Sequence, residues 1–411
     1  MTARFDHLLI ASPLHEEAAL ARVRGMLEPG LARLGGEAPA GTAGIDRPMV
    51  VVVLTGGTEH PILDAWRAHR AVRPWAPLVL VAHPSQNSLP AALEALARVH
   101  QEGGRGRIAY LAGADDVRGW SELDELIADL EARQGLEGLR IGMVGQPSDW
   151  LVASTPDPAV VARRWGPEVV EVDMGAVLTR FAHEPTPVAL AEATVAGSGG
   201  MREPEAADVA VAVRATSVLA DAATEQHLDA VTVRCFDLVT EAHTSGCLAL
   251  AELNDRGLVA GCEGDVVSTV TMAWLRLLLG ETPWMANPSR VDVDADRVLL
   301  AHCTIARSLL TGYRLRSHFE SGLGVAIEGD VAATEVTLVR VGGAGMDRLW
   351  LGEGTVVPAT HDEDLCRTQL TVALDRGHAR ELLEDPLGNH VTVVPGRHAD
   401  RLQRWWELLI A

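Results

Sequence analysis

At 411 residues the chain is too long for one ordinary hydrophobic core, so two or three domains are expected. Its 47% hydrophobic and 4% aromatic content fits an α/β enzyme rather than a disordered or fibrous protein. A formal net charge of −21 argues against nucleic acid or an anionic membrane as the main partner. All 35 basic residues are arginine, which excludes mechanisms that need a lysine amine, such as Schiff-base aldolases and pyridoxal enzymes.

The first third alternates short apolar strands with amphipathic helices. Strands are predicted at His7–Ser12, Pro48–Thr55, Leu78–His83 and Arg107–Leu111, and helices at Ala91–Gln101 and Ser121–Gln134. That alternation implies a parallel sheet covered on both faces. Two of its connections, Thr55-Gly56-Gly57-Thr58-Glu59 and His83-Pro84-Ser85-Gln86-Asn87-Ser88, fall where open α/β sheets bind ligands. Each reads equally as a plain tight turn, and no GxGxxG marks a dinucleotide. A second α/β unit is expected from Leu139–Val144, with a glycine turn at Gly145, a helix over Asp157–Trp165 and a strand at Val169–Val172. Gly197-Ser198-Gly199-Gly200 reads first as a flexible loop and alternatively as a mobile active-site loop.

From Ser289 the pattern becomes β-rich. Arg290–Asp294, Arg297–Cys303, Leu323–Glu328, Thr334–Val341 and Val391–Val394 are short and β-branched, predicting an antiparallel, barrel-like domain closed by a helix over Ala399–Leu409. The expected organisation is therefore an α/β protein with two tandem Rossmann-like domains, 1–138 and 139–281, followed by a β-rich C-terminal domain, 282–411. Cys235, Cys247, Cys262, Cys303 and Cys366 show no CxxC spacing and read as buried, reduced thiols. With no membrane-length apolar run and no signal-peptide pattern in Met1–His7, a cytoplasmic protein is expected.

Two stretches carry possible chemistry. In Arg256–Asp265 an apolar strand ends in Glu263 and Asp265, and a helix over Val266–Leu279 follows. Both carboxylates are equally suited to capping that helix through its unpaired N–H groups and dipole. In Pro386–Gly396, His390 enters a strand; it reads as a packed histidine or, with a carboxylate from elsewhere, as part of a metal site. Arg234 ends a strand-like run and is a candidate for binding a substrate hydroxyl or anion, with a surface role as the alternative. Asn389 is a substrate-binding candidate only if the chain bends, because neighbouring strand side chains face opposite ways.

Cys262-Glu263-Gly264-Asp265, Trp284-Met285-Ala286-Asn287 and Gly388-Asn389-His390 stand in the order and spacing of the L-fucose/L-arabinose isomerase family, which the chain resembles. Thr55–Glu59, Asn87-Ser88-Leu89, Gly145–Leu151, Gly246–Ala249, Leu253-Asn254-Asp255 and His302-Cys303 extend the likeness over nearly the whole chain. The resemblance implies a divalent metal, typically Mn²⁺, on Glu263, on the residue at 287 and on His390. It also implies aldose–ketose isomerisation of a sugar-like substrate through an enediol, in a trimer or hexamer. Asn287 stands where the family has an aspartate, removing a negative ligand and a base. Three outcomes follow: Glu263 works alone, Asp265 takes the lost role, or the site has moved to epimerisation, dehydration or aldol-type cleavage. A sugar-binding protein without catalysis is the rival reading.

Overall fold

The computed structural model describes residues 4–39, 47–358 and 360–410. The chain divides into two compact units, Met1–Gly135 with Arg404–Ala411, and Leu136–Gln403. The expected first boundary near 138 lies close to this division. The expected second and third segments lie within one unit, while the end of the C-terminal helix belongs with the first.

The first unit runs β1 (Phe5–Ile10), α1 (Glu17–Arg33), β2 (Gly36–Glu37), β3 (Met49–Val53), α2 (Glu59–Val72), β4 (Leu78–Ala82), α3 (Ser88–Gln101), β5 (Gly106–Tyr110) and α4 (Val117–Leu136). Its sheet has the order β2-β1-β3-β4-β5 and is parallel throughout. All five residues of β3 and of β4 are buried, the continuous apolar pattern of strands covered on both faces. The two strand-end turns lock onto each other. Gly56 N–H donates to Gln86 O (2.7 Å), Ser88 Oγ–H donates to Val53 O (2.6 Å), and the buried His83 ring contacts Leu54 O (3.1 Å) and Ser85 Oγ (3.0 Å).

The second unit opens with β6 (Arg140–Val144), α5 (Pro158–Arg164), β7 (Glu168–Val172), α6 (Met174–His183), α7 (Val188–Gly197), α8 (Ala206–Glu225), β8 (Ala230–Val233), α9 (Cys235–Ala242), α10 (Cys247–Asp255), β9 (Val259–Cys262) and α11 (Val266–Leu279). These strands form a parallel sheet in the order β7-β6-β8-β9. Then come β10 (Trp284–Asp292), β11 (Arg297–His302), β12 (Leu310–Arg316), β13 (Ala326–Val331), β14 (Glu335–Gly342), β15 (Arg348–Val357), β16 (Thr368–Arg376), α12 (Glu381–Glu384), β17 (Val391–Pro395) and α13 (Ala399–Leu409). Six of them close an antiparallel barrel, β10-β11-β16-β15-β14-β17, and β12 with β13 form a separate hairpin.

Alternation along the barrel strands sorts inside from outside. Trp284, Ala286, Leu300, Leu338, Val391 and Val393 belong to one apolar core. Met285 and Thr392, their pleat neighbours, face the other way, and Met285 Sδ accepts the Cys262 backbone N–H (3.1 Å). The barrel wall is thus fastened to the end of β9.

Gly197–Gly200 is not a free loop. Gly199 N–H donates to Tyr313 O (2.7 Å), Leu315 N–H to Gly200 O (2.9 Å) and Arg202 N–H to Leu315 O (3.1 Å), so the glycines and the next residues run along the edge of β12. Small side chains allow that close backbone approach, which composition alone reads as flexibility. All five cysteines are free thiols, four of them buried. Among the described residues no helix is long and apolar enough to cross a membrane.

Candidate active site

Strand β9 ends at Cys262, and the next residue, Glu263, turns the chain with a left-handed backbone (φ 64°). For a residue with a Cβ this conformation costs on the order of 1 kcal/mol. Glu263 O accepts Ser148 N–H (2.8 Å) and Gly264 N–H reaches Val233 O (3.1 Å), so the turn joins the ends of β6, β8 and β9. Gly264 (φ 71°) has no room for a side chain, because a Cβ there would lie 2.8 Å from Gln146 O. The Cys262–Asp265 sequence is therefore a turn that aims one carboxylate out of the sheet end and starts α11 with the other.

Asp265 is that second carboxylate, the N-cap of α11. It accepts from Ser268 N–H (2.8 Å) and Ser268 Oγ–H (2.8 Å), and its Oδ2 meets His390 Nδ1 at 2.8 Å. The Arg340 guanidinium lies 3.6 Å away and is itself anchored on Ser154 Oγ (2.6 Å), Ser268 Oγ (3.0 Å) and Leu387 O. Gly388 makes room for it: a Cβ there would fall 1.9 Å from Arg340 Nη2. Burial works against the Asp265 charge, but His390, Arg340 and the Ser268 N–H outweigh it and bring its pKa down to about 2.

Expected beside Glu263 as a group acting on substrate, Asp265 instead lies behind His390, fully buried with its oxygens taken. His390 immediately precedes β17 and is also fully buried; among the described residues its Nε2 makes no hydrogen bond, and it lies 3.5 Å from Glu263 Oε1. Burial lowers its proton affinity, yet the two carboxylates bring its pKa up to about 9.

A third side chain enters from the barrel. His302, the last residue of β11, is buried and has Nδ1 paired with Thr304 Oγ (2.9 Å). Its ring meets the His390 ring edge-on at 5.6 Å. Burial and the neighbouring His390 push its pKa down to about 4, so it is a neutral lone-pair donor at ordinary pH. Glu263, His302 and His390 each offer one ligand atom within 4.8 Å of the others. Two imidazoles and a carboxylate suit a divalent transition ion, and the orphaned His390 Nε2 is the atom such an ion would satisfy. Desolvation raises the Glu263 pKa, but His390, His302 and the Trp150 indole N–H together hold it below the usual carboxylate range.

That indole donates to Glu263 Oε2 at 2.5 Å. Trp150 follows the glycine turn after β6, is nearly half exposed, and packs edge-on against Phe236 at 4.9 Å. Phe236 in turn meets His318 edge-on at 5.5 Å.

The other expected residues sit differently. Asn287 is half-buried on β10, on the pleat face of Met285, which looks toward β9. Arg234 braces the turn that carries Trp150, donating to Pro147 O (2.7 Å) and pairing with Asp149 (3.1 Å) and Asp237 (3.1 Å). Asn389 is exposed in the bend before β17. His302, Trp150 and Phe236 carry no role in the sequence reading. Their signal was position: each follows or ends a predicted strand.

No protein-family model matches the chain. It is 26% identical over 243 residues to a sulfoquinovose isomerase of Alkalicoccus urumqiensis, covering 57% of this chain and 55% of that protein. Sulfoquinovose isomerases of Priestia aryabhattai and Clostridium sp. (strain MSTE9) match at 29% over 122 residues and 31% over 121, about a quarter of each protein's length. The match thus spans about half the length, or less, of these relatives. It supports likeness to a sugar isomerase rather than to fucose isomerase itself.

Proposed function

We propose that the chain catalyses aldose–ketose isomerisation of a small sugar at a divalent-metal site held by Glu263, His302 and His390. Sulfoquinovose, the sugar in the relatives' names, is the first substrate to try. The observation that carries this reading is the buried His390 Nε2, which makes no hydrogen bond among the described residues and faces the Glu263 carboxylate at 3.5 Å and His302. When bound, a divalent ion such as Mn²⁺ or Fe²⁺ supplies Lewis-acid polarisation of the sugar oxygens.

The chain's own residues do the rest. Asp265 holds His390 Nδ1 and so leaves Nε2 as the ligating atom, as carboxylates behind metal-bound histidines commonly do. Glu263 is the base that moves a proton between adjacent carbons, with its Oε2 fixed by Trp150. The Asn287 amide is not basic enough to take up a proton in that step, which leaves Glu263 as the carboxylate on the substrate side.

Metal content of the purified protein and isomerisation by the same preparations test the reading together. Near-stoichiometric divalent ion in wild type, lost in Glu263→Gln and His390→Gln with roughly 10³-fold lower turnover, is the expected result. Asn287 in place of a carboxylate favours a second reading, a diverged activity or a sugar-binding protein. Sugar binding by a wild type that takes up no Mn²⁺ and converts no aldose would establish that reading instead.

A further inference from the structure

We propose that Cys235 and Cys262 are a modification site in the wall of this centre: a small oxidant joins them in a reversible disulfide that switches the centre off. The bond itself is independent of the isomerase reading, and its effect on turnover rests on that reading.

The two thiols come from neighbouring parallel strands. Cys262 is the last residue of β9, and its register partner on β8, Val233, lies two residues before Cys235, the first residue of α9. Both side chains are buried, and the Cys262 thiol donates to Cys235 Sγ at 3.0 Å. A disulfide needs about 2.0 Å between its sulfurs, so closing this pair takes a movement of about 1 Å. The other three cysteines, Cys247, Cys303 and Cys366, pack together with Ala326 and Phe319.

Sequence neighbours tie the pair to the chemistry. Cys262 precedes Glu263, whose left-handed backbone turns the chain at the sheet end. Cys235 lies between Arg234, which braces the Trp150 turn through Pro147 O (2.7 Å), and Phe236, which packs edge-on against Trp150. Trp150 in turn donates to Glu263 Oε2 (2.5 Å). One cysteine thus stands behind each end of the contact that fixes the base. A bond between them shifts the Phe236–Trp150 wall and the Glu263 turn against each other. Displacing reacting groups by about 1 Å is enough to cost about 10²-fold in rate. Burial restricts the oxidant to a small molecule, of which hydrogen peroxide is the simplest.

The chemistry balances. The Cys235 sulfur attacks one peroxide oxygen, breaking the O–O bond and giving a sulfenic acid and one water. The Cys262 sulfur then attacks the Cys235 sulfur, forming the S–S bond and releasing the sulfenic oxygen as a second water. The two thiol protons leave in those waters, and two electrons pass from sulfur to peroxide. A dithiol reductant reverses the step by exchange.

The test exposes purified wild type, Cys235→Ala and Cys366→Ala to hydrogen peroxide, maps disulfides by non-reducing peptide mass spectrometry and measures kcat. Wild type should show a Cys235–Cys262 bond, the loss of two of its five free thiols, and kcat lower by about 10²-fold, restored by dithiothreitol. Cys366→Ala should respond as wild type does, whereas Cys235→Ala should form no such bond and keep its turnover in peroxide. A wild type that keeps Cys235 and Cys262 free, or joins either to another cysteine, overturns the site. A mapped Cys235–Cys262 bond with kcat within about threefold of the reduced protein overturns its effect on the centre. A reduced wild type that converts no aldose overturns the isomerase reading alone, and the mapped bond still decides the pair.

Discussion

The two parallel sheets end their strands in opposite ways. In the first unit the turns after β3 and β4 satisfy one another, and the buried His83 has both ring nitrogens engaged. In the second unit β9 is followed by a left-handed glutamate, and among the described residues the buried His390 Nε2 makes no hydrogen bond, facing that glutamate at 3.5 Å. Both regions have a glycine turn at the carboxyl ends of parallel strands, where ligands bind in such sheets, and a buried histidine beside it, His83 directly after β4 and His390 directly before the barrel strand β17. Position therefore does not separate scaffold from site. At these two histidines polar satisfaction does: both nitrogens of His83 are engaged, whereas the buried His390 Nε2 makes no hydrogen bond among the described residues.

The strongest way to break that contrast is to damage the buried charges behind His390. Asp265→Ala leaves the Arg340 guanidinium buried without its carboxylate, removes the N-cap of α11 and frees His390 Nδ1. Stability should fall by about 3–5 kcal/mol, measured by urea unfolding. Asp265→Asn keeps the shape and cap, so it should cost less stability while still weakening metal binding by roughly 10–100-fold. Equal metal affinity in Asp265→Asn and wild type would remove Asp265 from the site.

The same histidines give the metal-free protein an unusual pH profile. His390, with its folded pKa raised to about 9, contributes stability that is complete below the unfolded value and lost as pH rises through 9. His302, lowered to about 4, does the reverse: its stability is present above the unfolded value and is lost as pH falls toward 4. With an unfolded histidine pKa of about 6.5, each limb is worth roughly 3 kcal/mol. The urea midpoint of metal-stripped protein should therefore peak near pH 6.5. His390→Gln should remove the alkaline decline and His302→Gln should flatten the acid limb. A midpoint that keeps rising from pH 6.5 to 9 in wild type would show that His390 is not held between two carboxylates.

Much of this was legible in the residues. The strand-to-carboxylate stretch at Glu263, the histidine at 390 and the change from parallel to antiparallel texture all rest on local pattern. What was not legible depends on closure of the barrel. His302 reads as the end of an ordinary apolar strand, and only the pairing of β10 with both β11 and β17 carries it to His390. Arg340 looks like the polar member of an alternating strand, yet it is 3% exposed and supports Asp265. Strand β15 escapes a local reading because Gly352, Glu353 and Gly354 interrupt its apolar alternation, whereas β16 alternates buried Leu370, Val372 and Leu374 with half-buried neighbours and carries a readable strand pattern. Glu263 and Asp265, one glycine apart, carry the same charge and the same helix-start signal. Only the left-handed turn assigns one to the open side and the other to the interior.

The smallest expected effect is the control on the first unit. His83 is buried, its pKa lowered mainly by burial, and its ring bridges Leu54 O and Ser85 across the two turns. His83→Phe fills similar space but leaves the Leu54 carbonyl without its partner. The cost should be about 1–3 kcal/mol, the usual penalty for one buried polar group left unpaired. If the contrast between the regions holds, this variant loses stability but keeps the divalent ion, whereas His390→Phe loses the ion. Loss of metal from His83→Phe at a temperature where it remains folded would show that the satisfied turns of the first unit also serve the site. Polar satisfaction would then fail to separate the His83 turn from the His390 site.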